Sequence, residues 1–335
     1  MRKKGLIERI VMKDPAQNDF SPQAFPENRL KLFSYMIKNK PMKIYSNHWL
    51  TVLFFAPLII WEVLTMEYTD WLFGLDAQEG IKHLLEHWIT VYVTAIPMWV
   101  IAFVGLSGGL NVIRKLAWSD PVIIRSDFLQ GIKSSGKQMA LIGFLWGSAY
   151  ALIRYAIDWL GFYYRVFDDS YSVVFGIFVC LFLLVVAIGF TVYMVCMSSI
   201  YNVNFKQLVV GAFKLYFADF FLATGVNLVC LLPFFVLMLA GRAFVVLFIY
   251  LLLVCFLIGV EIIPPFLVCQ HTFDRIINKK DYPSYYGRGL SYGVYSDKES
   301  DITELEDSDL SEKTGEENRT DAIENDFERV SDDED

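Results

Sequence analysis

The sequence predicts an all-α, polytopic membrane helix bundle, and three observations support this fold class. Hydrophobic residues make up 55% of the 335 residues, charged residues only 20%, and the mean hydropathy is +0.41. Ordinary soluble domains do not have this composition. Long apolar stretches recur up to about residue 270, and the charges are segregated, with a net charge of +6 in residues 1–296 and -14 in residues 297–335. The composition excludes a disulfide-rich secreted scaffold, a basic nucleic-acid binder and a soluble enzyme with a short anchor.

Six segments are apolar and long enough to cross a hydrocarbon core about 30 Å thick, which needs roughly 20 helical residues. These are residues 48–66, 88–110, 138–160, 172–197, 216–240 and 243–269. Only Gly241 and Arg242 separate the last two, which predicts a tight helical hairpin. The chain therefore divides into an N-terminal segment (1–47), a six-span membrane domain (48–275) and a tail (276–335).

The distribution of Lys and Arg predicts that both termini are cytoplasmic. With the N-terminus inside, the cytoplasmic segments contain 21 basic residues, whereas the outer loops contain three, Lys82, Arg165 and Arg242. Short basic loops are retained on the cytoplasmic side of a membrane, so this orientation is favoured over its inverse.

Two inner loops, 111–137 and 198–215, predict amphipathic helices at the membrane surface. Ser119-Asp120-Pro121 is a helix-start signal in the first loop, and apolar and basic residues follow at helical spacing. The second loop repeats this pattern after 77 residues. The predicted inner-face interface consists of the basic and aromatic residues Arg114, Lys115, Phe128, Lys133, Lys137, Phe205 and Lys214.

The tail becomes rich in tyrosine from about residue 276 and strongly acidic from Asp297. It has few apolar residues and no helical stripe, which predicts disorder. Two interpretations of the acidic part remain open at this point. It is either a solvated extension or a docking segment for a basic cytoplasmic partner.

Several segments of the chain resemble the YesL-like family of bacterial integral membrane proteins. These segments are Lys31–Phe33, Asn47–Leu50 with Pro57 in the following span, Gly108–Leu110, Arg114-Lys115 and Asp127–Lys133. The resemblance covers residues 31–270, and the N-terminal segment, the longer first outer loop and the acidic tail depart from the family. It implies a protein of the bacterial cytoplasmic membrane, of unknown molecular function and associated with carbohydrate uptake. It implies no catalytic residue.

Four ionisable residues within predicted spans are candidates for a functional site: Glu62, Arg154, Asp158 and Glu261, of which Glu261 is expected to face water at the inner boundary. An ionised side chain at the centre of a membrane helix costs about 2.5–3.5 kcal/mol on insertion scales. Glu62 lies 14 residues after His48 and Arg154 lies 16 after Gln138, so both reach a similar depth, and Asp158 follows one turn later. A Glu62–Arg154–Asp158 cluster is therefore predicted. It is either an internal pair that holds two helices together or a substrate or proton site.

The segment His83-Leu84-Leu85-Glu86-His87 matches the H-x-x-E-H zinc pattern, in which two imidazoles lie one helical turn apart beside a general base. The neighbouring Trp88 also fits a membrane-interface belt. No other outer histidine is present, so a third ligand would come from Asp158 or a loop aspartate. His83 and His87 stay metal-ligand candidates, and the sequence assigns neither a metal nor a cofactor.

Two hypotheses of function follow, and a third is retained for testing. The first is an accessory or regulatory subunit that associates with a solute uptake system through its inner loops and acidic tail. The alternative is an autonomous secondary transporter that uses the Glu62–Arg154–Asp158 cluster. The third, a zinc-dependent membrane enzyme at His83 and His87, is retained only because it is simple to test, since a pattern with three fixed positions arises readily by chance. Phosphate-binding loops, dinucleotide fingerprints and nucleophile elbows are all missing from the sequence, so nothing in it indicates an ATPase, a dehydrogenase or a hydrolase. The predicted partners are the lipid bilayer, a membrane transport complex and an unidentified small solute, with no nucleic acid.

Overall fold

The computed structural model describes residues 25–167, 170–238 and 258–292 of the chain. These residues are helical and include no β-strand, which confirms the all-α class. The helices are α1 (Arg29–Asn39), α2 (Pro41–Gly74), α3 (Ala77–Trp88), α4 (Ala95–Ala117), α5 (Ile124–Phe167), α6 (Ser170–Ile200), α7 (Phe205–Ala218), α8 (Phe220–Met238), α9 (Ile258–Glu261), α10 (Ile263–Phe273) and α11 (Lys279–Asp281). π-helical turns cover Ile89–Val93 and Asp274–Asn278, and a 3-10 turn covers Pro283–Tyr285.

Four helical stretches are long and apolar enough to cross a membrane: Pro41–Thr65, Thr90–Ala117, Ile124–Tyr164 and Tyr171–Ile200. A fifth candidate is a broken one, since Phe205–Ala218 and Phe220–Cys230 meet at an angle of 92°. The predicted hairpin at Gly241 and Arg242 lies outside the described residues. The described chain thus contains four to five membrane-capable helical segments, and the count of six stays a prediction.

The first inner loop does not form a separate surface helix. Its second half is the beginning of α5, a continuous helix of 44 residues that also contains the third predicted span. The predicted start at Ser119-Asp120-Pro121 is wrong by several residues, because Ser119 takes a left-handed conformation (φ 59°) in the turn after α4. The Asp127 carboxylate instead accepts a hydrogen bond from the backbone N–H of Ile123 (2.8 Å), which organises the start of α5 at Ile124.

The second inner loop does contain a separate helix, α7. Asn204 and Gln207 form a reciprocal capping box at its start, so that side chains satisfy backbone groups otherwise left without partners. At its end the chain turns at Asp219 into α8. The two inner loops therefore share a sequence pattern but differ in structure.

The bundle has two ends, because its longest helices extend over more than one membrane crossing. At ~1.5 Å per residue α5 is about 66 Å long, roughly twice the thickness of a hydrocarbon core. We call the end that contains α1, the start of α5, α7 and residues 263–292 the ion-paired end. We call the end that contains α3 and the last turns of α2 and α5 the histidine end.

Helix α4 lies between α2 and α5, and small residues let the backbones approach closely. A Cβ atom on Gly131 of α5 would lie 2.7 Å from the Ser107 carbonyl oxygen and 2.9 Å from the Gly108 Cα atom of α4. Small residues at such crossings are the usual means by which membrane helices pack. This contact fixes the separation of the two helices.

Residues 274–292 pack against α1 and against Tyr201, the residue that follows α6. Arg29 and Asp274 form a buried ion pair with an N–O distance of 2.5 Å. The Tyr201 hydroxyl donates a hydrogen bond to Asn278, and burial raises the pKa of this phenol, which keeps its proton in place. The prediction of disorder from residue 276 is wrong for residues 276–292, because their partners lie far away in the sequence. Residues 293–335, with the acidic segment, lie outside the described residues.

Candidate functional site

Three of the four predicted intramembrane ionisable residues come together near the histidine end. Helix α2 contributes Glu62, and α5 contributes Arg154 and Asp158, one turn apart, with 3.6 Å between the Arg154 Nε atom and an Asp158 carboxylate oxygen. The Asp158 side chain is almost fully buried, and that of Arg154 is 23% exposed. Glu62 and Arg154 line one cavity and Asp158 contacts Arg154, so the three residues predicted to lie at similar depth share one site.

Two tyrosines complete this cluster, and the sequence analysis missed both. The Tyr92 hydroxyl donates a hydrogen bond to Asp158. Tyr150 lines the same cavity as Glu62 and Arg154, so its hydroxyl lies close to both the side chain from α2 and the guanidinium on α5. A neutral tyrosine in an aromatic-rich span gives no distinctive signal, although Tyr150 lies one helical turn before Arg154.

Tyr92 owes its position to an irregular stretch of backbone. It lies in the π-helical turn Ile89–Val93 between α3 and α4, where the hydrogen-bond register shifts. Such single π-turns are frequent at functional sites because they re-aim side chains. The Trp61 indole N–H of α2 donates to the Val91 carbonyl in the same turn (3.1 Å), which ties α2 to this irregular segment.

A small cavity lies inside the cluster. Its volume is about 10 Å³, and its lining residues are Trp61, Glu62, Thr65, Val91, Tyr92, Ala95, Tyr150, Ala151 and Arg154. A cavity of this size has space for about one water molecule or small ion. The polar groups of Glu62, Tyr150 and Arg154 face the same space, so the cavity suits a polar or charged occupant.

A larger cleft adjoins the cavity. It has a volume of about 440 Å³ and shares Tyr92 and Ala151 with the cavity. Its other lining residues include Trp88, Ser148 and Tyr155. Two side chains therefore separate the buried cluster from a space wide enough for a small organic molecule.

The charges of the cluster do not balance when every group is ionised. Glu62 and Asp158 together carry two negative charges, and Arg154 carries one positive charge. In a low-dielectric surrounding such an excess favours the entry of a proton or a cation. The cluster therefore has one negative charge in excess, which a proton or a small cation would neutralise.

The predicted inner-face residues divide into two groups. The first group makes contacts inside the ion-paired end and consists of Arg114, Lys115 and Phe128. The Arg114 guanidinium donates to the Ser199 carbonyl (2.6 Å), Lys115 pairs with Asp127 (2.7 Å), and the Phe128 side chain is buried. These three are occupied by internal contacts and do not form an exposed interface, because they hold α4, α5 and α6 together.

The remaining predicted inner-face residues are on the surface. Lys133, Lys137 and Lys214 are exposed, and Phe205 is half-buried. They belong to α5 and α7. Only this second group is accessible to a lipid headgroup or to a partner.

His83, Glu86 and His87 lie together on α3 at the histidine end. Each offers one ligand atom, and these atoms all lie within 4.8 Å of one another. Of the two predicted sources of a third ligand, Asp158 or a loop aspartate, Asp158 instead contacts Tyr92 and Arg154, and the third ligand atom beside the two histidines is offered by Glu86. This histidine group is separate from the cluster around Arg154.

The fold and these contacts describe a helical protein with several membrane-capable helices and a charged cluster between two of them. No family model matches the chain, and no curated protein or solved structure is significantly similar to it. The resemblance to the YesL-like family therefore stays a prediction.

Proposed function

We propose that the protein is an ion-coupled secondary transporter that binds its coupling ion at the Glu62–Arg154–Asp158 cluster. One observation carries the proposal. The Glu62 carboxylate and the Arg154 guanidinium line a cavity between helices that are long and apolar enough to cross a membrane, and the Asp158 carboxylate lies 3.6 Å from the same guanidinium. Ionisable groups at such positions are costly, and in membrane proteins they commonly mark ion and substrate pathways.

The sizes of the two cavities suggest how the parts are used. The 10 Å³ cavity admits a proton, a water molecule or a small cation, and the adjoining 440 Å³ cleft accommodates an organic solute. Rotation of Tyr92, which lines both, would connect the two spaces. Ion binding at Asp158 would then change the hydrogen bond that holds Tyr92 and would couple the ion to the solute.

The proposal is tested by measuring charge movement in proteoliposomes on a solid-supported membrane. Sugars, amino acids and carboxylic acids are applied in turn under an inward proton or Na⁺ gradient. We expect at least one solute class to evoke a transient current in the wild-type protein. The Arg154→Gln and Glu62→Gln variants should lose this current, because each removes one charge from the cluster.

Lys133→Gln provides the control, since it removes an exposed positive charge from the same helix as Arg154 but far from the cluster. It should leave the current unchanged. Absence of a current for every solute under both gradients would refute the transporter. If Arg154→Gln does not accumulate in membranes, the cluster acts in helix packing instead.

A second candidate function is an accessory subunit of a solute uptake system. Residues 276–292 are anchored at the ion-paired end, so the acidic segment leaves the described structure at the end that exposes Lys133, Lys137 and Lys214. The exposed lysines offer a positively charged surface to a partner at this end, and the acidic sequence that follows residue 292 offers negative charge. Co-purification from native membranes tests it, and an uptake-system subunit should be recovered with the full chain but not with a chain ending at Ser296.

A further inference from the structure

The histidine group on α3 lies apart from the proposed transport site and has the chemistry of a metal site. His83 and His87 are one helical turn apart, and Glu86 lies beside them. A tetrahedral zinc ion with bonds of ~2.0–2.2 Å places its ligand atoms about 3.4 Å apart. Ligand atoms that already lie within 4.8 Å of one another reach this spacing by side-chain rotation alone.

The hydrogen bonding of the two imidazoles favours metal binding. The His87 Nδ1 atom is 3.1 Å from the His83 carbonyl oxygen. With the proton on Nδ1, this N–H donates to the carbonyl and leaves the Nε2 lone pair for a metal, the arrangement that orients most metal-binding histidines. The His83 Nδ1 atom is enclosed and has no hydrogen-bond partner within the part of the chain that the structure describes.

Neighbouring side chains hold the group in place. The Trp71 ring packs against His83 with 5.3 Å between ring centroids, and the Tyr68 ring packs against His87 at 6.2 Å. The Lys82 ammonium would compete with a metal ion for the Glu86 carboxylate, from which it lies 3.8 Å away. Both of these side chains are well exposed to solvent, so their ion pair is weak and readily displaced.

We infer that His83, Glu86 and His87 bind one Zn²⁺ ion at the histidine end. Two imidazoles and a carboxylate supply three ligands, and the fourth position is left for water or for a group from a bound molecule. The site does not depend on the proposed transport function. Metal binding and transport are therefore tested independently.

The experiment uses the full-length protein, purified in detergent with an affinity tag that contains no histidine and stripped of metal. Zn²⁺ is titrated by calorimetry in competition with a chelating dye. We expect one ion per chain for the wild-type protein. His83→Ala and His87→Ala should abolish this binding, and Glu86→Gln should weaken it at least about tenfold.

His271→Ala is the matched control, because it removes an exposed histidine from α10 at the opposite end and should leave zinc binding unchanged. The absorption spectrum of the Co²⁺-loaded protein reports the coordination directly, and it should lose its tetrahedral bands in Glu86→Gln as well. Zinc binding as tight in His83→Ala as in the wild type, or no binding by the wild type, would overturn the inference. Size-exclusion profiles show that each variant is folded.

Discussion

At the scale of single residues, the ion-paired end depends on charges that water cannot reach. The Arg29 and Asp274 side chains are only 9% and 7% exposed, and Arg29 also donates to the Arg288 carbonyl (3.0 Å). Asp274 accepts a second hydrogen bond from Asn278 (2.8 Å). The pair thereby connects the beginning of the described chain to the π-helical turn near its end.

We expect Arg29→Ala to destabilise the protein strongly, because it leaves the Asp274 carboxylate buried without its partner. Loss of one member of a buried ion pair costs about 3–5 kcal/mol. Denaturant unfolding in detergent, followed by tryptophan fluorescence, measures this change. Lys31→Ala is the control. Lys31 lies two residues after Arg29, and its ion pair with Glu27 is exposed to solvent, so its loss should have little effect on stability. Equal effects of the two changes would contradict the buried-pair argument.

At the scale of helices, α4 and α5 are held close by the absence of side-chain atoms rather than by their presence. Gly131 sits against backbone atoms of Ser107 and Gly108, which have nowhere to move. Gly136, on the same helix, has a roomier site, with its nearest neighbour, an Ile132 methyl carbon, 3.6 Å from a built Cβ atom. Replacing each glycine by alanine therefore distinguishes the effect of crowding between the helices from the effect of alanine on helix stability.

Gly131→Ala should lower the thermal unfolding temperature in detergent, because the new methyl group forces α4 and α5 apart. Overpacking of this kind costs about 1–3 kcal/mol. Gly136→Ala should be neutral or stabilising, since alanine favours helix and the added atom meets only ordinary contacts. A Gly131→Ala protein as stable as the wild type would show that the two helices are not in this close contact.

At the scale of the whole molecule, the two ends differ in chemistry. The ion-paired end contains Arg29, Asp274 and the exposed lysines of α5 and α7, whereas the histidine end contains α3 and lies near the charged cluster. Helix α5, with 44 residues, is longer than a crossing of a hydrocarbon core about 30 Å thick requires. The sequence predicts that the ion-paired end faces the cytoplasm.

This orientation is tested by cysteine labelling in a background from which the native cysteines have been removed. A membrane-impermeant maleimide applied to intact cells should label Lys82→Cys at the histidine end. Lys279→Cys at the ion-paired end should react only after the membrane is permeabilised. Both side chains are exposed, so burial does not interfere. The reverse result would invert the orientation.

The sequence by itself determined the helical class, the approximate location of the first four membrane-capable segments and the meeting of Glu62, Arg154 and Asp158. Hydropathy and charge are local properties of a chain, and a helix advances by a constant rise per residue, so the depth of each ionisable group follows from counting. The same reasoning placed His83, Glu86 and His87 on one helix face, because their spacing matches one turn.

Only the tertiary structure decided which further residues complete these sites. Tyr150 and Tyr92 join the cluster through contacts between helices and through a π-turn, neither of which leaves a periodic signal. Residues 276–292 are ordered because Asp274, Asn278 and Arg288 meet partners distant in the chain, and Arg29 and Asp274 are 245 positions apart. Long-range contacts of single polar side chains stabilise a segment whose local composition predicts disorder. These contacts cannot be predicted from the sequence of the segment alone, because the partner residues lie elsewhere in the chain.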